Sequence, residues 1–275
     1  FSSWNPAAVY EAYKVNGNRS FIDSLKPSLE EEYARWQKTH RLDNGLYWQE
    51  DVRDGMEESA SGGRKKKFAR PTINSYMYGN AMALAEMNKL AGDEAKVRKY
   101  TDEASQLKTL VENKLWNGKH EFFETLKTDT LANVREAIGF IPWYFNMPDN
   151  KKYDVAWKQV TDEKGFSAPY GLTTCERRSP LFRTHGTGTC EWDGAVWPFA
   201  TSQTLTAMAN YINNYPEPIV GSKEFFHDME VYVESQHHRG RPYIGEYLDE
   251  TNGAWLMGDR ERSRYYNHST FNDLM

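Results

Sequence analysis

The chain has 275 residues, with 34 Lys and Arg against 39 Asp and Glu and a formal net charge of −5. This acidic balance argues against nucleic-acid binders and proteins of anionic membrane surfaces, because both carry a basic excess. No apolar run approaches the roughly 20 residues of a membrane span. The two cysteines, Cys175 and Cys190, are too few for a disulfide framework, and no Cys/His cluster has zinc-ligand spacing. We therefore expect an acidic globular protein that binds neither nucleic acid nor membrane and needs no metal.

Apolar periodicity predicts a mostly helical chain. Amphipathic stretches cover residues 4–15, 20–40, 72–90 and 93–115, and the last of them repeats apolar side chains at spacings of three and four. We expect Ser20 to cap the second helix, Pro27 to kink or end it, and Asp93 to cap the fourth. Further helices are predicted at 131–140, 154–160, 199–212 and 223–237. Residues 121–126 and 243–247 are each typical of one arm of a hairpin.

Three long loops separate the predicted helices, at residues 43–71, 165–198 and 240–269. Connections longer than about 15 residues are uncommon and usually functional. These three combine tryptophans, carboxylates and glycines, which favours an all-α toroid of helix pairs whose loops build a pocket at one end. No linker divides the chain, so we expect a single domain over 1–275. The chain begins at Phe1 and stops in what reads as a helix start, so we also expect it to be a fragment of a longer protein.

The first loop carries five carboxylates within nine residues, from Glu50 to Glu58, directly after Trp48 and around Gly55. Crowded like charges raise one another's pKa, which suits a general acid that must stay protonated near neutral pH. The alternative is a solvent-exposed acidic turn that binds calcium. The ligand spacing of an EF-hand loop is absent.

The second loop contains two tryptophans five residues apart, Trp192 and Trp197, with Asp193 between them. Aromatic faces stack on the C–H faces of sugar rings while carboxylates accept hydrogen bonds from hydroxyls, so this segment is a candidate sugar-binding wall. The third loop places Glu246 beside Tyr247 and ahead of an Asn-Gly turn. The alternatives are a core tryptophan pair in the second loop and a hairpin glutamate in the third.

In this order, the three segments resemble the catalytic loops of (α/α)6-barrel glycoside hydrolases, among them trehalase, processing α-glucosidase and mannosylglycerate hydrolase. The segment 55–59, Gly-Met-Glu-Glu-Ser, matches the family's Gly-x-Asp-x-Ser-like acid loop. The segment 192–197 matches the Trp-lined sugar site, and 246–253 matches the loop with the base. The likeness is greatest to mannosylglycerate-hydrolase-like domains of bacterial polysaccharide-degrading proteins. It implies a periplasmic or secreted protein and a barrel that is incomplete over 275 residues.

The resemblance implies an inverting exo-glycosidase that needs no cofactor, acts on an oligo- or polysaccharide and has partner domains in the same longer chain. Glu246 is then the base. Glu57 is favoured as the acid over Asp54, although it stands where the family carries Asp. The residues expected to contact substrate are Trp48, Asp54, Asn74, Tyr170, Arg177, Trp192, Asp193, Trp197, Tyr247 and His268.

Two other functions remain compatible with these motifs. A binding domain that keeps the pocket but has lost catalysis is favoured by the departure at Glu57. A polysaccharide lyase or sugar epimerase with a toroid fold would need a Tyr or His base, for which His268 with Tyr265 or Tyr266 is the candidate.

Overall fold

The computed structural model describes residues 3–149, 151–184, 192–257 and 274. Helices account for 52% of the structure, which confirms the all-α fold class. The helices are α1 (Asn5–Asn16), α2 (Arg19–His40), α3 (Pro71–Ala91), α4 (Glu94–Lys114), α5 (Ile141–Tyr144), α6 (Pro198–Asn214) and α7 (Ser222–Ser235), with 3-10 turns at Asp51–Asp54, Ala137–Phe140 and Lys151–Val160. Strands β1 (Trp116–Asn117) and β2 (Phe122–Phe123) form one antiparallel hairpin, and β3 (His237–His238) and β4 (Arg241–Pro242) form another.

The helices form an inner and an outer layer. Sixteen of the 21 residues of α3 are buried, whereas α4 buries only Tyr100, Ala104, Leu107 and Val111. Helix α3 packs against α1, α2 and α4, and α6 packs against α5 and α7. A helix that is apolar on one side only must cover an inner neighbour, while a helix buried all round must be enclosed. This pairing of outer with inner helices is the arrangement that the toroid prediction requires; the expected incompleteness of the barrel stays a prediction.

Local capping explains where the outer helices begin. Asp93 caps α4 as predicted, since its Oδ1 accepts a hydrogen bond from Lys96 N at 3.1 Å. The prediction for α2 was wrong by two residues, because the Oδ1 of Asn18 accepts from Phe21 N at 3.1 Å and Ser20 only donates to Asn18. Helix α2 also continues through Pro27 without ending there.

Tertiary pairing replaces two of the predicted elements. The expected helix at 131–140 is absent over most of its length, because Leu131 and Glu136 form bridges with Leu126 and Cys175 and only the 3-10 turn remains. The expected strand at 243–247 is displaced. The hairpin lies earlier, at 237–242, and Leu248 pairs instead with Val196 and Trp255.

Both inner helices begin with a proline that directly follows a long loop, Pro71 in α3 and Pro198 in α6. Proline suits this position because its missing N–H would have no helical partner there. The two loops therefore emerge at the starts of inner helices, as expected for a toroid with its loops at one end. In the described part of the chain, no helix combines the length and the apolar character that crossing a membrane demands.

Candidate active site

The three segments in which the sequence predicts chemistry meet in one buried aromatic cluster. Met56 comes from the first segment, Trp192 and Trp197 from the second, and Tyr247 from the third. All four side chains are less than 8% exposed. Glu57 directly follows Met56 and Glu246 directly precedes Tyr247, and these two residues carry the predicted catalytic carboxylates. The fold thus brings together segments that are almost 200 residues apart in sequence.

Glu57 is partly exposed, and its Oε2 accepts a hydrogen bond from the indole Nε1 of Trp192 at 3.1 Å. Trp192 itself stacks on Trp197 with ring centroids 4.3 Å apart and meets Tyr247 edge-on at 5.0 Å. An indole N–H only donates, so Oε2 is an acceptor in either protonation state of the carboxyl group. The buried tryptophan therefore fixes the orientation of the carboxyl group.

The segment of residues 241–257, here called the Glu246 segment, is held by backbone pairing. Leu248 and Val196 exchange both backbone hydrogen bonds at 3.0 Å. Val196 forms a further bridge with Thr173, and Leu248 forms one with Trp255. Glu246 lies at the start of this short irregular ladder and is 8% exposed. The ladder connects the second and third candidate segments directly.

The loop of residues 49–70, here called the Glu57 loop, is closed at its base. Gln49 and Phe68 exchange backbone hydrogen bonds at 3.0 and 3.2 Å. Gly55 ends the 3-10 turn with φ +76°, and a Cβ there would lie 3.1 Å from Cη2 of Trp197. Both the positive φ and the close approach favour glycine. The turn therefore places Glu57, two residues later, beside the tryptophan pair.

A buried polar network organises the inside of this loop. Arg70 is completely buried and donates through Nε to Oδ2 of Asp54 at 2.6 Å, and its other nitrogens reach the hydroxyls of Ser59 and Ser61. Glu136 accepts from the N–H of Ser61 at 3.1 Å and from its hydroxyl. We call these five residues the Arg70 network. Sequence reasoning missed Arg70 and Glu136. The signal for Arg70 was its position, because it is a single charged residue between the apolar pair Phe-Ala and the proline that starts α3.

The charges in the Arg70 network are coupled. Burial raises the pKa of Asp54 and that of Glu136, and the Arg70 guanidinium opposes both rises. For Arg70, burial lowers the pKa, but Asp54 and Glu136 outweigh that effect and the pKa is raised. Arg70 therefore stays charged between two carboxyl groups. Asp54 is committed to this ion pair, with both side chains at most 2% exposed, and this differs from the substrate contact expected of it.

Asn74 and Arg177 brace loops, contrary to the expectation that they contact substrate. The amide of Asn74 is fully buried, accepts from Tyr47 N at 2.8 Å and donates to Tyr47 O at 2.9 Å. Arg177 donates to the carbonyl oxygens of Glu163 and Ser167 at 2.8 and 3.1 Å. Both side chains use their polar atoms on the backbone.

The second segment forms a wall and does not offer an open stacking surface. Trp192 and Trp197 are only 1% and 4% exposed because they stack on each other. Asp193 is also buried, and its Oδ2 accepts from Nε of Arg183 at 2.6 Å. Its expected role as a partner of sugar hydroxyls is therefore replaced by an ion pair that holds the loop.

The other predicted contact residues lie in different places. Tyr170 is 38% exposed and packs on the Glu246 segment, since a Cβ on Gly253 would come within 2.5 Å of its ring. Trp48 lies in a separate ring stack against His40. His268 and Cys190 lie outside the described residues. Within the described ranges, no three His, Cys, Asp or Glu side chains are grouped so that they could hold a metal ion.

Comparison with known proteins identifies the family. The family model of the mannosylglycerate hydrolase MGH1-like glycoside hydrolase domain matches residues 1–269. Among curated proteins, no match was found.

Solved structures share the fold. A structure named "Sialidase" is 67% identical over all of this chain, with a TM-score of 0.97, and the chain spans 26% of its length. The GH63 mannosylglycerate hydrolase from Thermus thermophilus in complex with glucose has a TM-score of 0.72 at 15% identity, covering 91% of this chain and 70% of that one. An uncharacterized conserved protein from the same organism reaches a TM-score of 0.74 at 14% identity, covering 91% of this chain and 71% of that one. These two low identities show a common fold alone.

Proposed function

Because the chain belongs to the mannosylglycerate hydrolase MGH1-like glycoside hydrolase family, we propose that it removes a terminal sugar from an oligo- or polysaccharide with inversion of configuration. Glu57 acts as the general acid and Glu246 as the general base. The observation that carries this proposal is the position of Trp192. Its indole hydrogen-bonds Glu57, and its ring contacts Tyr247, the neighbour of Glu246 in the chain.

The reaction needs the two carboxyl groups in opposite states. Glu57 protonates the leaving glycosidic oxygen while ionised Glu246 takes a proton from a water on the opposite face of the sugar. An inverting enzyme holds these groups roughly 6.5–9.5 Å apart so that the water fits between substrate and base. Trp192 contributes to the acid by fixing the orientation of its carboxyl group through a hydrogen bond to Oε2.

The environment of Asp54 supports Glu57 as the acid. Asp54 lies three residues earlier, but its carboxylate is buried and paired with the Arg70 guanidinium at 2.6 Å. A general acid gains and loses a proton in each cycle, so Asp54 would alternate between neutral and charged beside the Arg70 guanidinium. Leaving either charge of a buried ion pair without its partner is costly. Glu57 is partly exposed, and the indole of Trp192 donates a single hydrogen bond to it. A partly exposed carboxyl group exchanges protons with water at little cost.

The activity in the name "Sialidase" belongs to a protein of which this chain spans 26%. The proposal for the present domain depends on its own paired carboxylates, whereas sialidases use a tyrosine nucleophile. Removal of a terminal sugar, in place of internal cleavage, is the mode of action we propose for a site built by three segments that meet in one buried cluster.

The test compares Glu57→Gln, Glu246→Gln and the matched control Glu58→Gln on aryl glycosides and natural oligosaccharides. Loss of general acid or base catalysis typically costs about 10²–10⁴-fold in rate. Glu57→Gln should lose activity on natural linkages but keep much of it on dinitrophenyl glycosides, because that leaving group needs no proton. Glu246→Gln should lose both activities.

Glu58 has a half-exposed side chain paired with Arg64, so Glu58→Gln should behave as the wild type. The configuration of the first-formed product, followed by proton NMR, should be opposite to that of the substrate. Near-normal turnover by Glu246→Gln, or a retained configuration, would overturn the proposal. An unsaturated product that absorbs in the ultraviolet would instead identify a lyase.

A further inference from the structure

A groove of about 580 Å³ lies at the C-terminal end of α2, outside the aromatic cluster of the candidate active site. Its lining is polar with one aromatic wall, and it includes Ser28, Glu32, Arg35, Trp36, His40 and Arg53. Arg53 belongs to the 3-10 turn of the Glu57 loop. The groove therefore joins an outer helix to the loop that carries the predicted general acid.

Four side chains form a continuous stack, and two of them, Trp36 and His40, line this groove. Trp36 lies 4.1 Å from His40, His40 lies 4.5 Å from Trp48, and Nζ of Lys67 lies 4.5 Å from the centre of the Trp48 ring. Each of the three rings is only partly buried. Lys67 belongs to the basic run Arg-Lys-Lys-Lys, which has no part in the proposed catalytic mechanism. The stack makes the aromatic wall rigid from behind.

The hydrogen bonds around His40 define its tautomer. The hydroxyl of Thr39 donates its proton to the carbonyl oxygen of Arg35 at 2.7 Å, so it must accept from Nδ1 of His40 at 2.6 Å. Burial lowers the pKa of His40, and Arg53 and Lys67 lower it further. The neutral ring therefore carries its proton on Nδ1 and keeps Nε2 as an acceptor. An acceptor beside an aromatic wall is a group that a sugar hydroxyl can use.

The charges of the lining are balanced. Arg35 pairs with Glu31 at 2.9 Å on the exposed face of α2, and Arg53 and Glu32 complete the lining with one charge of each sign. A polyanion would gain little from such a surface, because the carboxylates oppose the guanidinium groups. Charged donors and acceptors beside an aromatic ring suit a ligand with many hydroxyls and apolar C–H faces.

We propose that this groove is an accessory binding site for a neutral stretch of the polysaccharide, with Trp36 as the stacking surface and His40, Arg35 and Arg53 as hydrogen-bonding partners. The site holds a chain segment beside the end of the barrel at which hydrolysis takes place. That the ligand is a glycan rests on the proposed function. Trp48, expected from sequence to stack on the sugar at the catalytic centre, contributes instead to the back of this second site.

The experiment is affinity electrophoresis in native gels that contain soluble glucomannan, xyloglucan or arabinoxylan, with polygalacturonate as the anionic comparison. The variants are Trp36→Ala and Arg35→Ala, and the matched control is Phe226→Ala, an exposed aromatic on α7 that is 61% accessible. Removing a central tryptophan contact should weaken retention about fivefold or more. Arg35→Ala should weaken it less, and it keeps folding intact because an exposed ion pair contributes little. Phe226→Ala should be retained like the wild type.

The outcomes separate this proposal from the proposed function. Hydrolysis that survives in Glu57→Gln and Glu246→Gln contradicts the catalytic roles and leaves the gel result unaffected. Equal retention of Trp36→Ala and the wild type, or no retention in any neutral gel, overturns the accessory site. Stronger, salt-sensitive retention by polygalacturonate overturns the choice of a neutral chain. Weaker retention of Arg35→Ala at an unchanged melting temperature supports the site even if Trp36→Ala unfolds.

Discussion

The Glu57 loop and the Glu246 segment each contribute a side chain, Met56 and Tyr247, to the same aromatic cluster, and they are held in place by different forces. The Glu57 loop is built around the buried guanidinium of Arg70 and the groups that satisfy it. The Glu246 segment is held by backbone pairing and by the apolar contacts of Leu248, Val196 and Trp255. A polar network requires every partner in its place, whereas apolar packing requires mainly the right volume. The two regions should therefore respond in opposite ways to conservative substitutions.

The largest effect is expected at the centre of the Arg70 network. Arg70→Met leaves Asp54 and Glu136 buried without a cation and should lower the free energy of unfolding by about 3–5 kcal/mol. Arg70→Lys should recover only part of this loss, because an ammonium group cannot reproduce the planar fork that reaches Asp54 and both serines. Urea denaturation measures both variants. A stable Arg70→Lys protein would show that the network needs only a charge.

Leu248 offers the corresponding test in the Glu246 segment. It is fully buried, so Leu248→Ala should cost about 2–5 kcal/mol through lost burial and the cavity left behind. Leu248→Met keeps the volume and should cost less than about 1.5 kcal/mol. The same denaturation measurement applies. If Leu248→Met proved as harmful as Leu248→Ala, the proposed contrast between the two regions would fail.

Trp192→Phe tests the link between the two regions. The variant keeps an aromatic ring in the stack but removes the N–H that donates to Glu57 at 3.1 Å. A hydrogen bond of this kind typically contributes about 0.5–1.5 kcal/mol and here fixes the orientation of the Glu57 carboxyl group. Its loss should lower the rate on natural linkages more than the rate on dinitrophenyl glycosides, because only the natural leaving group needs a correctly placed acid. An equal loss on both substrates would point to a packing defect.

A smaller effect is expected from crowding the Glu57 loop. A Cβ on Gly62 would lie 2.6 Å from Oγ of Ser59 and 2.7 Å from Oδ2 of Asp51. Gly62→Ala should therefore cost about 1–3 kcal/mol. Gly118→Ala is the matched control, since a Cβ there meets nothing within 4 Å, and it should stay within about 0.5 kcal/mol of the wild type. Equal stability of the two variants would mean that the loop relaxes easily.

Sequence alone predicted the elements whose signal is local. The apolar period gave α3 and α4, and Asp93 marked the start of α4. The convergence of the three candidate segments followed from the family resemblance. Sequence reasoning favoured Glu57 over Asp54 without a physical basis for the choice, because only the fold brings Arg70 to Asp54 and Trp192 to Glu57. Glu136 was missed since its partner Ser61 lies 75 residues away in the chain.

The closed base of the Glu57 loop has a consequence for protein engineering. Because Gln49 and Phe68 are hydrogen-bonded neighbours, the loop leaves and re-enters the scaffold at one point and is a natural cassette for exchange between homologous domains. A transferred loop would keep its internal contacts, but Glu136 and Trp192 lie outside the loop and must be present in the recipient domain. A grafted loop should therefore present its carboxylate correctly only in recipients that supply both of these docking partners, and chimeras that lack either one should fold poorly or misplace the acid.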